Sequence, residues 1–409
     1  MFMTFIGLIF FLIFICFEKD VPLVRLFLLE RSCNMVYERN YIVNDDVTLS
    51  FKEAEEFQKF LSEMDRDSQW IEVEKSKFIS ISYAGDKDEI IEGLTDESFN
   101  DTVSNGTHLA LMYDDCNYYI GASALPTLKA RAGISGTALE KIKRQDLAEI
   151  LNKCLPVSAG GTLIRVCGDK VRACHSKNYQ PLSQSGIFRT SRATIEGYSN
   201  KIFINGTWNH EYMTASWNIY DKDVIDAYVN LFDDMGIPIN PKDVQTVVSI
   251  RTSDVGTSGA TVWYNIQCGK KTVVLGAGLK LNHKGDVSIS DFSDNLKDVF
   301  ASYKKSFYDL EELANVSIKH PVGCIYGLLK KADMPCNLAK ETALRFKDGF
   351  GNNEIDALKL YIFGVSEVLS VAIAHGASFE KLFTYQEKVA RIIGYNFSKF
   401  DREAELVDL

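Results

Sequence analysis

Strand-like segments occupy the middle of this 409-residue chain, and helix-like segments occupy its two ends. Candidate strands are concentrated between residues 109 and 290, where β-branched and aromatic runs are separated by turn residues. Helical periodicity marks residues 50–64 and dominates from residue 294 onward. Because strands and helices are segregated rather than alternating, the sequence predicts an α+β protein. The sheet is expected to be central and mostly antiparallel, with flanking helices and a helical C-terminal third.

Local signals place the first elements. Ser50 and Glu53 stand at capping-box spacing, which predicts a capped amphipathic helix over residues 50–64. Residues 67–106 are acidic and strand-poor, and a single strand is predicted over Leu109–Tyr119. The next helix is predicted over Thr137–Leu155, ended by a proline and two glycines.

Turn chemistry places the later strands. The sequence predicts a hairpin over residues 162–176 and a second over 200–220, the second turning at Asn205-Gly206. A three-stranded meander is predicted after a short helix at 221–234. The meander strands are 245–252, 260–268 and 271–282, and the later helices are 295–316, 322–332, 338–346, 354–374 and 378–393.

Four regions are predicted along the chain. They are an apolar leader or mis-called start (1–34), an N-terminal α+β region (35–125), a central β-rich domain (126–292) and a C-terminal helical region (293–409). Met1–Phe17 is almost wholly apolar, but it is shorter than the roughly 20 residues that span a bilayer. Three interpretations remain open: a membrane anchor, translation that starts at Met35, or a helix packed on the body. Membrane contact is not expected unless residues 1–17 are an anchor.

Cysteine usage favours a reducing compartment. The nine cysteines are scattered, and no pair has the spacing C-x-x-C. An odd number of scattered cysteines is typical of free thiols rather than of a disulfide framework. The chain is therefore expected to be cytoplasmic.

Charge is distributed unevenly. The whole chain carries a net charge of −10, which argues against general coating of nucleic acid. Between Lys129 and Arg192, however, twelve basic residues stand against four acidic ones. Such a segment is typical of a surface that binds nucleic acid or phosphate, but a solvated basic face would have the same composition.

Cations and aromatic rings in and after this segment suggest a site for single-stranded nucleic acid, which binds through phosphate contacts and base stacking. The candidate phosphate contacts are Arg165, Lys170, Arg172, Lys177, Arg189 and Arg192. Tyr179 is the candidate stacking residue, with Trp208 as a further one.

The motifs of the common enzymes and metal sites are missing from the sequence. Gly269-Lys270 ends like a phosphate-binding loop, but the required upstream glycine position is Tyr264. His210-Glu211 begins like a zinc protease motif, but Thr214 stands where the second histidine would be. No cofactor and no metal are therefore expected. Asp114, Asp115 and Asp169 remain candidate acids of a metal-dependent enzyme, or they are ordinary turn residues.

One stretch, Ile164–Leu182, resembles the phage- and plasmid-encoded proteins grouped as domain of unknown function 932. The resemblance is carried by Val171-Arg172, Ser176, Tyr179, Pro181-Leu182, the turn Ser253-Asp254-Val255-Gly256 with the strand after it, and Asp356–Tyr361. It covers roughly residues 125–375; the cysteine element that family members often carry is absent from Leu279–Gly285. The resemblance implies a mobile-element origin and a cytoplasmic setting, and it brings no catalytic residues.

Three functions are consistent with these observations. The first is a single-stranded DNA-binding protein or an accessory of recombination or replication. The second is a non-enzymatic assembly or host-interaction protein, for which the apolar stripe Leu358–Leu369 could supply a homo-oligomer interface. The third is a metal-dependent enzyme that acts on nucleotides. The sequence favours the first and makes an enzyme the least expected of the three.

Overall fold

The computed structural model describes residues 40–85, 91, 94–158, 160–197, 200–234, 239–256, 259–268, 271–281, 288–377 and 379–403. The interpretations of residues 1–34, and the alternative start at Met35, lie outside these residues. Within them the structure confirms the α+β prediction, with two six-stranded sheets and helices that dominate the C-terminal part.

Fourteen strands are found in the described residues. They are β1 (Leu49–Phe51), β2 (Ser68–Val73), β3 (Ser80–Tyr83), β4 (Leu109–Tyr113), β5 (Cys116–Ile120), β6 (Thr162–Cys167), β7 (Lys170–Ser176), β8 (Lys201–Trp208), β9 (Met213–Ile219), β10 (Val244–Thr252), β11 (Ala260–Cys268), β12 (Lys271–Leu281), β13 (Ser317–Ile318) and β14 (Ile355–Asp356).

The α-helices lie between and after these strands. They are α1 (Asn40–Val43), α2 (Ala54–Asp67), α3 (Asp96–Ser104), α4 (Ala124–Arg131), α5 (Arg144–Ser158), α6 (Gln184–Glu196), α7 (Lys222–Asp234), α8 (Ile289–Glu312), α9 (Pro321–Lys331), α10 (Cys336–Phe350), α11 (Ala357–Phe363), α12 (Val368–Ala374) and α13 (Phe379–Ile392). Short 3-10 turns, including Ser76–Phe78, join several of them.

Sheet A is antiparallel throughout, in the order β1-β8-β9-β10-β11-β12. Its last three strands are the predicted meander. Side chains alternate between its two faces, so Trp217, Val248 and Tyr264 stand opposite one another and enter the main hydrophobic core. Burial of this face against helices holds the sheet in its register.

Sheet B has the order β2-β6-β7-β5-β4-β3 and contains one parallel pair, β5 with β7. The predicted hairpin over residues 162–176 is confirmed as β6 and β7, with Gly168 at a φ of 61° in its turn. Helices α4 and α5 cover one face and form a second core around Ile164, Val171 and Leu151. The candidate site lies at one end of sheet B, where β2 and β7 end and β6 begins.

The turn predicted at Asn205-Gly206 is wrong. Both residues lie inside β8, and the chain turns at Asn209, whose side-chain oxygen accepts the amides of Glu211 and Tyr212. The glycine serves packing instead, because a Cβ at Gly206 would lie 2.3 Å from the ring of Phe57. The conformation at Gly206 is thus determined by a tertiary contact, which local turn propensity cannot predict.

The predicted start and cap of the first long helix are also wrong. The helix exists as α2, but it begins at Ala54 without a side-chain cap, and Ser50 lies in β1 opposite Thr207. Pro156, predicted to end the second helix, lies inside α5, two residues before its last residue. The helix thus continues for two residues past a proline that lacks the backbone N–H of an ordinary helical residue.

Strand content at the N-terminal side was underestimated. Residues 67–106 contain β2 and β3, and the single strand predicted over Leu109–Tyr119 is the hairpin of β4 and β5. Strands of the predicted region 35–125 pair with strands of 126–292 in both sheets: β1 with β8, β2 with β6 and β5 with β7. The two predicted regions therefore share their sheets.

The helical C-terminal third is confirmed, with a break at Gly364 in the segment predicted over 354–374. The stripe Leu358–Leu369 is buried, with Leu358 2% and Leu369 5% exposed. Ala357–Ala374 is also long and apolar enough to cross a membrane, but 67% of it is buried inside the protein, as in the core of a soluble protein. The stripe is therefore core and offers no exposed homo-oligomer interface.

Candidate nucleic-acid interface

Two of the predicted phosphate-binding cations are buried in an ionic network. The Lys170 ammonium donates to Asp45, to Asp101 and, at 2.8 Å, to the carbonyl of Val43. The Arg172 guanidinium donates to Asp45 and to the carbonyl of Ile42. Both cations are almost fully inaccessible to solvent. The structure contradicts the predicted phosphate contacts of Lys170 and Arg172, because both side chains are buried and already form ion pairs with carboxylates of the chain.

Asp45 is the centre of this network. Its carboxylate also accepts the backbone N–H of Ala122 at 2.6 Å and the side-chain amide of Asn105. Burial alone would raise the pKa of Asp45, but Arg172 and Lys170, together with the Ala122 amide, outweigh it and hold the pKa below its ordinary value. The network therefore stabilises the fold around an ionised carboxylate.

Arg165 is the third buried cation. Its guanidinium lies 2.5 Å from the carboxylate of Asp254, and each side chain is 6% exposed. The predicted phosphate contact of Arg165 is therefore also wrong, because its guanidinium is buried and paired with Asp254. Arg192 is 28% exposed, but it pairs with Glu55 and with Glu196 one turn along α6, which neutralises its charge.

The two predicted stacking residues already contact other side chains of the protein. The ring of Tyr179 stacks on His175 with 3.9 Å between centroids, and burial raises the pKa of its hydroxyl. Trp208 is 2% exposed in the core. Trp208 therefore cannot receive a base as predicted, and the partly buried Tyr179 has one ring face already covered by His175. Of the predicted site residues, only Lys177 and Arg189 are exposed.

A group of cations that the sequence did not predict lies around Lys177. Sheet B brings three chain segments to one end, because Val73 at the end of β2 pairs with Thr162, and Thr162 pairs with Ser176 at the end of β7. The residues just beyond these strand ends are therefore neighbours: Glu74 and Lys75 after β2, Gly160-Gly161 before β6, and Lys177 after β7.

The turn Gly160-Gly161 holds these neighbours together. The backbone N–H and the hydroxyl of Ser76 donate to the carbonyl of Gly160, at 3.0 and 2.7 Å. Arg131, from the last turn of α4, donates to the carbonyl of Gly161 at 2.8 Å. A Cβ at Gly161 would lie 3.0 Å from the Lys177 side chain. Glycine thus permits the close approach of four segments.

We name Lys75, Lys77, Arg131 and Lys177 the glycine-turn patch. Within the described residues none of these four cations forms an ion pair, in contrast to Lys170, Arg172 and Arg165. Phe78 beside the patch is 55% exposed, with the Lys77 ammonium 5.3 Å from its ring centroid. Lys75, Lys77 and Lys177 are exposed and Arg131 is partly buried, so the patch combines three accessible cations with an accessible aromatic ring, as nucleic-acid sites do.

Sequence reasoning missed Lys75 and Lys77 because the region 67–106 is acidic overall. Glu72 and Glu74 are exposed close to the patch and offset part of its charge. The missed signal was local: two lysines flank Ser76, and an aromatic residue follows directly. Only the pairing of β2 with β6 connects them to Lys177.

The candidate acids of an enzyme have other roles. Asp114 and Asp115 form the two-residue turn between β4 and β5, at φ values of 51° and 56°. Asp169 accepts hydrogen bonds from Thr95 and Ser98 at the start of α3. No group of three or more histidine, cysteine, aspartate or glutamate side chains that could hold a metal is found among the described residues.

A polar cleft of about 260 Å³ lies beside the Asp45 network. Its walls are residues 45–48, 122–123 and 209–212, with acidic side chains at Asp46 and Glu211. An acidic wall repels phosphate, so this cleft does not extend the glycine-turn patch.

Comparison of the chain with family models, with curated proteins and with solved structures gave no match. The resemblance to domain of unknown function 932 thus stays a prediction.

Proposed function

We propose that this protein binds nucleic acid through the glycine-turn patch and acts without catalysis, as an accessory of recombination or replication of the kind that phages and plasmids encode. The observation that carries the proposal is that Arg131, Lys177 and Ser76, which Lys75 and Lys77 flank, all contact Gly160-Gly161. None of the four cations has a carboxylate partner among the described residues. Unpaired accessible cations attract phosphate, whereas paired ones do not.

The charges of the remaining site residues support the same assignment. The three most buried cations of the basic segment are neutralised by Asp45, Asp101 and Asp254. The excess charge that remains accessible lies at the patch and at scattered lysines and arginines such as Arg189. A cytoplasmic location agrees with the seven described cysteines, all of which are free thiols.

The test is binding of the full-length chain to a fluorescein-labelled oligonucleotide, measured by anisotropy at low salt. Lys77→Ala/Lys177→Ala should weaken binding roughly tenfold, because two phosphate contacts are lost. The matched control is Lys141→Ala/Lys143→Ala, which removes the same charge at exposed positions. These lysines precede α5, and the patch follows it, which puts the two sites about 20 Å apart.

The proposal is overturned if neither single-stranded nor duplex DNA binds, or if both double variants lose affinity equally. Phe78 and Val157, which is 87% exposed, give the patch apolar neighbours. Vesicles of phosphatidylserine and phosphatidylcholine are therefore a second probe. Binding to these vesicles without binding to oligonucleotides would overturn the proposal in favour of a lipid surface.

A further inference from the structure

We infer that Trp70 is the residue on which an unpaired base stacks, so that the nucleic acid bound is a single strand. The inference rests on the proposed function, because the patch supplies the phosphate contacts. Trp70 lies on β2 directly opposite Arg165 on β6, on the face of sheet B away from the helices α4 and α5.

Trp70 differs from the other tryptophans of the chain in its exposure. Trp208, Trp217 and Trp263 are 2%, 3% and 4% exposed, whereas Trp70 is only half-buried. The strand places it close to the patch, since Trp70 precedes Val73 at the patch end by three residues, or about 10 Å. A base stacked on Trp70 thus belongs to a strand whose neighbouring phosphates can contact the patch.

The ring of Trp70 rests on a fixed support. Its centroid lies 5.7 Å from the ring of Tyr179 and 6.1 Å from that of His175, and the Arg165 guanidinium lies 5.9 Å from it. These contacts cover part of the indole and leave the remainder to solvent. A ring held in place loses little conformational freedom when a base stacks on it.

The support is itself tied to sheet A by the turn after β10. A ring nitrogen of His175 lies 3.3 Å from the backbone carbonyl of Asp254. The Tyr179 hydroxyl donates to the backbone carbonyl of Ser253 at 3.5 Å. Gly256 has a φ of 79°, and a Cβ there would lie 2.6 Å from the His175 ring. Tyr179 thus contacts Trp70, His175 and Ser253, and it supports Trp70 instead of taking the stacking role that its sequence position suggested.

Stacking on Trp70 requires an unpaired base. A duplex presents phosphates to the patch, but its bases are already stacked and paired. We therefore expect preference for single strands to depend on Trp70 and attraction to phosphate to depend on the patch. Glu72, which is exposed and on the same face as Trp70, lies between the two and lowers the affinity of both forms.

The test uses tryptophan fluorescence of the full-length protein during titration with three probes: a single-stranded oligonucleotide, its duplex and inorganic polyphosphate. The single strand should quench the fluorescence and polyphosphate should not, although it occupies the same patch. Trp70→Leu should weaken single-strand binding about 5- to 150-fold and leave duplex binding far less affected. Trp70→Phe, which keeps an aromatic face, should abolish the quenching and lose less affinity than Trp70→Leu.

The two ideas fail in different ways. If single strands and polyphosphate bind in a salt-dependent manner but no quenching occurs and Trp70→Leu binds single strands normally, the Trp70 inference is overturned and the patch stands. If no probe binds, the proposed function itself fails. Circular dichroism of both Trp70 variants verifies folding, and Trp70→Phe carries the test if Trp70→Leu does not fold.

Discussion

The guanidinium of Arg165 on β6 and the carboxylate of Asp254 after β10 form an ion pair of 2.5 Å that links sheet B to sheet A. Tyr179 and His175 contact the same turn after β10. Burial raises the pKa of Asp254, and Arg165 opposes that rise.

Removing one partner of this pair should be costly. Asp254→Asn leaves the Arg165 charge buried without a counter-charge, and we expect the free energy of unfolding to fall by about 3–5 kcal/mol. Urea denaturation followed by circular dichroism measures it. Replacing both partners, Arg165→Met with Asp254→Leu, should recover much of the loss; a double variant as unstable as Asp254→Asn would contradict this explanation.

Asp45 should make stability fall in acid. Its pKa is lowered in the folded protein, so its contribution is fully present above the ordinary value of 3.8 and is lost as pH falls through the folded value. Asp45→Asn removes this dependence and should lower the free energy of unfolding at neutral pH by about 3–5 kcal/mol, because Lys170 and Arg172 lose a buried partner.

The control for that experiment is the neighbouring exposed Asp46. Asp46→Asn should change the free energy of unfolding by less than about 0.5 kcal/mol and keep the wild-type loss in acid. Equal pH profiles for wild type and Asp45→Asn between pH 2 and pH 5 would show that Asp45 does not contribute as described.

Glu72 should oppose nucleic-acid binding. Glu72→Gln removes a negative charge between Trp70 and the patch, and single-strand affinity at low salt should rise about two- to fivefold. Anisotropy titration measures it. Glu97→Gln on α3, exposed near the opposite end of β6, is the matched control and should leave the affinity unchanged. A decrease in single-strand affinity with Glu72→Gln would show that the nucleic acid does not bind beside Glu72.

Gly161 should tolerate no side chain. A Cβ there would lie 3.0 Å from the carbonyl oxygen of Glu74 and 3.2 Å from that of Val73, so Gly161→Ala must displace the end of β2. We expect a loss of about 1–3 kcal/mol in the free energy of unfolding, together with weaker oligonucleotide binding. A Cβ at Gly160 meets nothing within 4 Å, so Gly160→Ala should be far less destabilising. Equal stability of the two variants would refute the close approach.

Local chemistry was sufficient where one short segment decides the structure. The hairpin of β6 and β7 could be predicted because Gly168 adopts a positive φ between two β-rich runs, and the meander followed from its turn residues in the same way. Asn205-Gly206 has an equally strong turn propensity, yet Gly206 lies in a strand and packs against the ring of Phe57. The two residues of this contact are more than a hundred positions apart in sequence, and turn propensity depends only on neighbouring residues.

Site prediction failed for the same reason. The count of basic residues between Lys129 and Arg192 was right, but it could not reveal that Asp45 pairs with Lys170 and Arg172 across more than 120 residues. Lys75 and Lys77 were missed because the pairing of β2 with β6 is also remote in sequence, with partners 89 to 99 positions apart. Whether a cation is accessible is a tertiary property, so composition alone selected mainly structural cations.

The salt dependence of single-strand affinity tests the central claim most directly. If Lys75, Lys77, Arg131 and Lys177 contact three or four phosphates, log K against log salt should be linear with a slope of about −2 to −3. Lys77→Ala/Lys177→Ala should reduce the magnitude of that slope by about 1.4. A slope near zero, or a slope that the double variant does not change, would contradict binding of nucleic acid at the glycine-turn patch.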